Sequence, residues 1–394
     1  MKYYTAKISE KGNIAVDDTV LVEGVTALSG SHILDGFKPL FSADAVKRLE
    51  KKGYVISGKT DVGEFGLDLC GEFSYYGEND ADIKGAAAEL VAKGEVKAAL
   101  GVDINGAPRR AAALSDVYYL KSTYGTVSRY GIISTASSGE QLGVYAKNAD
   151  SVAEVMGVIA GHDEKDGTSL KTASYEYKTD LSVKDKRVCI VKELFELADD
   201  SVKAKITAFA DKLTKNGVKV EEVSLNFFSS AATAWQIIMS AETCNNVSRY
   251  DGVKFGHRAK EYKNIDELYV NSRTEGFNFL TKAVILYGSD VLSKNRYDEC
   301  FGKSLKVRRI IAERFDELMK NYDAVLTPVC SKTSFEAYDI SEAFGKVFKE
   351  SIFTAVPNLI GTPALSCVGV QLMGKHFSES ELLSLAASVE RMGE

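Results

Sequence analysis

Gly101-Val102-Asp103-Ile104-Asn105-Gly106-Ala107-Pro108-Arg109 is the stretch from which the rest of the chain is read. The run before it, Val96-Lys97-Ala98-Ala99-Leu100, predicts a strand, and the glycines predict a loop that this strand feeds directly. Asp103 and Arg109 are placed to brace such a loop by an ion pair or by hydrogen bonds to its backbone. Ala107, just past the second glycine, offers only a methyl group.

Outward from the loop, short β-rich runs alternate with amphipathic ones, the pattern of a mixed sheet flanked by helices. Residues 42–53 predict a capped helix stopped by Gly53, followed by a strand over Tyr54-Val55-Ile56-Ser57. Residues 148–161 predict another helix, with an Asn or Asp cap and a glycine stop. Arg187-Val188-Cys189-Ile190-Val191 reads as a strand leading into a helix over residues 200–216. From Ala231 to Tyr322 the pattern turns mostly helical, and strand signals return at 324–328 and 364–371. No tract rich in Ser, Gly and Pro marks a flexible linker.

A chain of 394 residues, 45% hydrophobic and 26% charged, can bury a large core. Its net charge of -6 argues against direct nucleic-acid binding, which depends on clustered Lys and Arg, so any contact with tRNA would run through a partner. No apolar run is long enough to span a membrane and the first residues lack a signal-peptide core, so the expected location is the cytoplasm. The six cysteines are far apart and only four histidines accompany them, so no metal site and no cofactor are expected.

Read together with Tyr124-Gly125-Thr126-Val127-Ser128-Arg129-Tyr130-Gly131, the loop makes the chain resemble the amidase signature family, most closely the A subunits of glutamyl-tRNA(Gln) amidotransferases. The resemblance continues through residues 58–65, Gly161-His162-Asp163, residues 248–258 and residues 372–377. Within these, Arg249-Tyr250-Asp251-Gly252 is the run most specific to A subunits. The resemblance covers nearly the whole chain, without the family's N-terminal helical leader. It implies an α/β amidase-signature fold with a central mixed sheet flanked by helices. Residues 1–394 would form a single domain, with 231–322 a mostly helical insertion laid over the sheet.

The family's chemistry uses a serine nucleophile, a bridging serine and a lysine, because a serine hydroxyl attacks a carbonyl only once a neighbour takes its proton. Backbone N–H groups of the glycine loop then hold the oxyanion. The family motif G-S-D-T-G-G-S-I-R reads here as G-V-D-I-N-G-A-P-R. Asp103, Gly106 and Arg109 match it, and the nucleophile position falls on Ala107. The lysine position of the family's I-A-I-K-D-N segment falls on Asp17, and the bridging serine on Ile83, within a residue or so. None of the three carries the family's catalytic group, and losing the nucleophile alone costs on the order of 10⁶ in kcat in a comparable serine hydrolase. The anion hole is altered as well: Asn105 replaces a glycine and Pro108 removes an N–H.

Other residues carry paired readings. Arg308 matches a segment associated with holding the glutamine carboxylate, against the alternative of a solvated helix arginine. Cys70 falls in a family segment near the active site and is the one candidate for a substitute nucleophile, against simple burial. His162 and His257 are expected to make structural hydrogen bonds, and Lys47, Arg48, Lys51 and Lys52 to form the wet face of a helix. The resulting expectation is a catalytically inactive A-subunit-like protein that binds amidotransferase B- and C-like subunits, in or around the complex that converts Glu-tRNA(Gln) to Gln-tRNA(Gln). Two alternatives stand beside it: an active subunit using other groups, such as Cys70, and a free-standing binder of an amide or amino acid.

Overall fold

A computed structural model of the chain describes residues 3–76, 85–171 and 175–392; Ile83 lies outside the described residues. The strands are β1 (Tyr4–Lys7), β2 (Ile14–Asp17), β3 (Ile56–Thr60), β4 (Ala98–Asp103), β5 (Tyr118–Lys121), β6 (Gln141–Ala146), β7 (Arg187–Val191), β8 (Lys219–Val223), β9 (Ala324–Pro328), β10 (Ala364–Cys367) and β11 (Val370–Met373). They form one sheet in the order β1-β3-β2-β4-β6-β5-β10-β11-β9-β7-β8. Pairing is parallel between β2 and both β3 and β4, and between β7 and both β8 and β9, and antiparallel from β4 through β9, so the sheet is mixed. Every residue of β4 is buried, which fits a central strand with helices on both faces.

The flanking helices are α1 (Asp44–Lys51), α2 (Ala86–Lys93), α3 (Ala107–Leu114), α4 (Ala149–Ile159), α5 (Lys192–Leu197) and α6 (Asp200–Lys215), then α7 (Phe228–Asn246), α8 (Ile265–Gly276), α9 (Phe279–Leu292), α10 (Lys303–Leu318), α11 (Ala343–Ile360) and α12 (Glu379–Glu390). Side chains set several of their starts: Asn148 accepts from Ser151 N at 2.8 Å ahead of α4, and Asp199 from Val202 N at 3.0 Å ahead of α6. α7 is the centre of the helical layer and packs on α9, α10 and α11. Trp235 and Phe65 are among the residues that join this layer to the sheet and its loops. The Trp235 indole donates to Ile104 O at 3.0 Å, and Phe65 stacks on Tyr250 and meets Phe277 at a tilt.

Several expectations shift. The strand before the loop starts at Ala98 and runs on to Asp103, so the first residues of the expected loop are sheet, paired with Gln141–Gly143 of β6. Gly101 marks a close approach there and not a turn: a Cβ on it would meet the Tyr145 ring at 2.7 Å and Asp17 Oδ2 at 3.0 Å. The strand expected over 54–57 is β3, three residues further on at its end. The single strand expected over 364–371 is a hairpin, β10 and β11, turned by Val368 (φ 41) and Gly369 (φ 82). Arg48 is not on a wet face. Its guanidinium pairs with Asp44 Oδ2 at 2.5 Å and donates to Ala160 O and His162 O, tying α1 to the end of α4.

Candidate functional site

β4 ends at Asp103, three further residues make the turn, and α3 starts at Ala107 with Pro108 in its first turn. Proline suits that position, because its fixed φ matches the helix and an N–H there would have no partner within the helix. Gly106 closes the turn at φ 91, and a Cβ on it would lie 2.4 Å from Thr354 of α11. Backbone angle and space therefore both require glycine.

The turn is held by buried charge. Asp103 Oδ1 accepts from Gly106 N at 2.9 Å, and Asp103 Oδ2 takes Arg109 Nε at 2.7 Å, both side chains being fully buried. Arg109 spends its other donors on Gln371 Oε1, Thr354 O and Asn358 Oδ1, and Asn358 Nδ2 returns to Asp103 Oδ1 at 2.9 Å. Burial alone would raise the Asp103 carboxyl, but the adjoining guanidinium outweighs it and holds the group below its ordinary value. The next residue, Arg110, is also fully buried. It joins Leu69 O, Asn105 O and Asn105 Oδ1 to Thr354 Oγ1.

Asn105 fills the mouth of the turn with its own carboxamide. Its Nδ2 donates to Leu67 O at 2.9 Å, and its Oδ1 accepts from Ala107 N at 3.1 Å as well as from Arg110. Two turn amides that could face an incoming anion, those of Gly106 and Ala107, are thus each already bound to an oxygen of this chain.

Beside the turn, Asp17 ends β2. Its carboxylate accepts from Thr60 Oγ1 at 3.0 Å and from Val102 N at 3.1 Å, and burial pushes its pKa up to about 7 against those hydrogen bonds. Its neighbour Asp18 forms a fully buried ion pair with Lys59 at 3.3 Å. Burial raises Asp18 to about 6 and lowers Lys59.

Asp17 and Ala107 face one cavity of about 40 Å³, whose lining also includes Asp61, Asp68, Cys70 and Tyr145. It has room for one or two water-sized species. Cys70 borders this cavity, yet burial and then the Glu72 carboxylate push its thiol well above the ordinary range, away from a nucleophilic thiolate. Arg308 of α10 is not among the lining residues, and its guanidinium donates to Ser138 O at 3.2 Å. His257 meets Glu275 at 2.6 Å and packs its ring on His32. At His162 the main-chain carbonyl makes the structural bond, to Arg48, while ring Nδ1 has no partner among the described residues. No group of Asp, Glu, His and Cys among the described residues is arranged to hold a metal ion.

Sequence reading does not single out Arg110, Thr354, Asn358 or Gln371. The doubled arginine after Pro108 is the available signal for the first; the other three come from α11 and β11 and meet the loop only through tertiary packing. Nothing in the sequence assigns Asp68 or Lys59 a role.

A family model described as Amidase matches residues 13–383. The A subunit of the glutamyl-tRNA(Gln) amidotransferase from Halothermothrix orenii is 35% identical over 96% of this chain and 84% of its own length. That of Lachnoclostridium phytofermentans is 36% identical over 96% and 82%. Among solved structures, the crystal structure of the Thermotoga maritima A subunit superposes with a TM-score of 0.83 at 27% identity, covering 99% of this chain and 87% of that one. A 6-aminohexanoate cyclic dimer hydrolase complexed with substrate matches at a TM-score of 0.80 and 19% identity, a likeness of fold alone.

Proposed function

The chain belongs to the amidase family, and on that premise we propose that it is a non-hydrolytic relative of the amidotransferase A subunits that works by binding. The observation that carries the proposal is Ala107: where the family aligns its attacking serine, this chain has a methyl group at the head of α3. Three further features support it. The amides of Gly106 and Ala107 are occupied by Asp103 and Asn105, Asp17 supplies a hydrogen-bond-accepting carboxyl where the family aligns a lysine, and the adjoining cavity of about 40 Å³ is too small for a glutamine side chain.

The scaffold's outer form matches A subunits along almost its whole length, so the partners proposed are amidotransferase B- and C-like subunits, with tRNA reached only through them. In such a complex the chain would fill the A position, as scaffold, regulator or competitor, without supplying ammonia. Ammonia release from glutamine by the purified chain, alone and with B and C subunits, is the test. The expected result is no release above buffer background together with stable co-purification of a B- or C-like subunit. Turnover at ordinary enzymatic rates would overturn the reading. Because Cys70 borders the same cavity, a Cys70→Ala variant belongs in the assay: activity lost with that thiol would favour an active subunit with a substitute nucleophile.

A further inference from the structure

His32 stands in the middle of a ring stack. One face lies on Tyr75, with ring centres 4.2 Å apart and planes 2° from parallel, and the other on His257 at 4.0 Å. The backbone fixes the meeting of the two imidazoles. His257 N donates to Ile33 O at 3.1 Å, and Gly256 (φ 79) passes so close to that carbonyl that a Cβ would lie 2.0 Å from it. The same segment lays Tyr250 on Phe65 and Phe255 against Phe37, so its rings seat it on the body of the protein.

Two positive charges are badly placed in that stack, because their centres would lie about as close as an ion pair of the wrong sign. Glu275 of α8 meets His257 Nε2 with its carboxylate at 2.6 Å and offers His32 only its main-chain oxygen, 3.5 Å from Nδ1. A first proton therefore goes to His257, and a second has to enter beside it on His32. The other charged groups nearby do not relieve this. Asp35, just past the turn His32–Leu34, acts on His32 less strongly than His257 does and is also bound by Tyr76. Arg273 of α8 is spent on Val247 O and Tyr250 O, Arg258 turns to Tyr262, and Lys254 is exposed.

From this geometry we propose that His32 and His257 form a one-proton pair that seats residues 250–258 on the body of the protein near neutral pH and releases them in acid. Burial and then His257 hold His32 below its ordinary value. A histidine lowered in the folded state gives stability that is present above the unfolded value near 6.5 and is lost as pH falls through the folded one. The buried carboxyls of Asp17 and Asp18 shift in the opposite sense, so global unfolding blends the two effects and the readout has to be local.

The test is deuterium exchange of the full chain, followed in peptides covering residues 250–258 at pH 5.0 and 7.5 and corrected for the intrinsic pH dependence of amide exchange. The expected result is opening of this segment about tenfold more often at pH 5.0, with α7 changed far less. His32→Phe keeps a flat ring between Tyr75 and His257 but takes no proton, and should abolish the acid opening; His257→Gln should blunt it. NMR titration is a second readout, practical because the chain has only four histidines. The His32 signal, identified by its loss in His32→Phe, should titrate below the ordinary histidine range and move up by about 0.5 pH unit or more in His257→Gln. Equal opening at the two pH values, acid opening that persists in His32→Phe, or a His32 titration unmoved by His257→Gln would overturn the pair. Glutamine hydrolysis enters neither readout, so this inference and the non-hydrolytic reading fail separately.

Discussion

The ends of two neighbouring strands, β4 and β2, handle buried charge in opposite ways. At the end of β4, Asp103 meets Arg109, Asn358 and the amide of Gly106, so each buried polar group there has a partner, and the carboxyl is held below its ordinary value. At the end of β2, the hydrogen-bond donors of Asp17 are neutral and it rises to about 7, while its neighbour Asp18 pairs with Lys59. One end is braced to completion, and the other is left short of positive charge beside an acid-lined cavity. The first is a frame of mutually partnered charge, and the second a carboxyl whose hydrogen-bond donors are neutral. A buried charge network costs little when complete and much when one member is missing.

The comparison breaks most readily at Arg109. Arg109→Met leaves Asp103, Gln371 and Asn358 without their donor and should cost about 3–5 kcal/mol, seen in chemical denaturation as a collapsed midpoint or as insoluble protein. Gly106→Ala comes next. A Cβ at φ 91, 2.4 Å from Thr354, should cost about 2–3 kcal/mol, and Thr354→Ser in the same chain should recover only part of it, since the backbone angle stays unfavourable.

The β2 end makes a prediction in pH. A carboxyl raised in the folded state holds its proton longer than in the unfolded chain, so its contribution to stability is complete below the unfolded value near 4 and is lost as pH climbs through the folded value. Asp17 (about 7), Asp18 (about 6) and, in the buried turn Glu64–Gly66, Glu64 (about 7) all act in this sense, opposed in part by Lys59 beside Asp18 and by Lys121, which burial lowers to about 7. The melting temperature should therefore fall from pH 5 to pH 8. Asp17→Asn should flatten that fall by up to one proton, ~1.4 kcal/mol per pH unit at the steepest; an unchanged slope in the variant would place the effect elsewhere. The smallest effect is expected outside both regions. Val368 takes φ 41 in the β10–β11 turn, a poor angle for a β-branched side chain, so Val368→Asn should raise stability by ~1 kcal/mol, read as a modest gain in melting temperature.

Legibility follows the range of the interactions. Helix caps at Asn148 and Asp199 and the strands at 187–191 and 324–328 are written in adjacent residues, and sequence reading finds those elements. It misses β1, β2, β5, β6 and β8 and misreads Gly101, because a glycine that accommodates Tyr145 across a strand pair looks the same in sequence as one that turns the chain. At the site, Asp103 and Arg109 are legible as a local pair, while Asn358, Thr354 and Gln371 arrive from distant helix and strand positions. The size of the cavity, and the burial that shifts Asp17, depend on packing that no short segment encodes.

The carboxamide of Asn105 on the Ala107 amide ties positions 105 and 107 into one unit. A serine placed at 107 would stand next to amide hydrogens already bound to oxygens of this chain, and the nearer of them stays bound until position 105 is vacated. Vacating position 105 forfeits the bonds to Leu67 and Arg110 as well, so that a change at the head of the helix is felt on both sides of the turn.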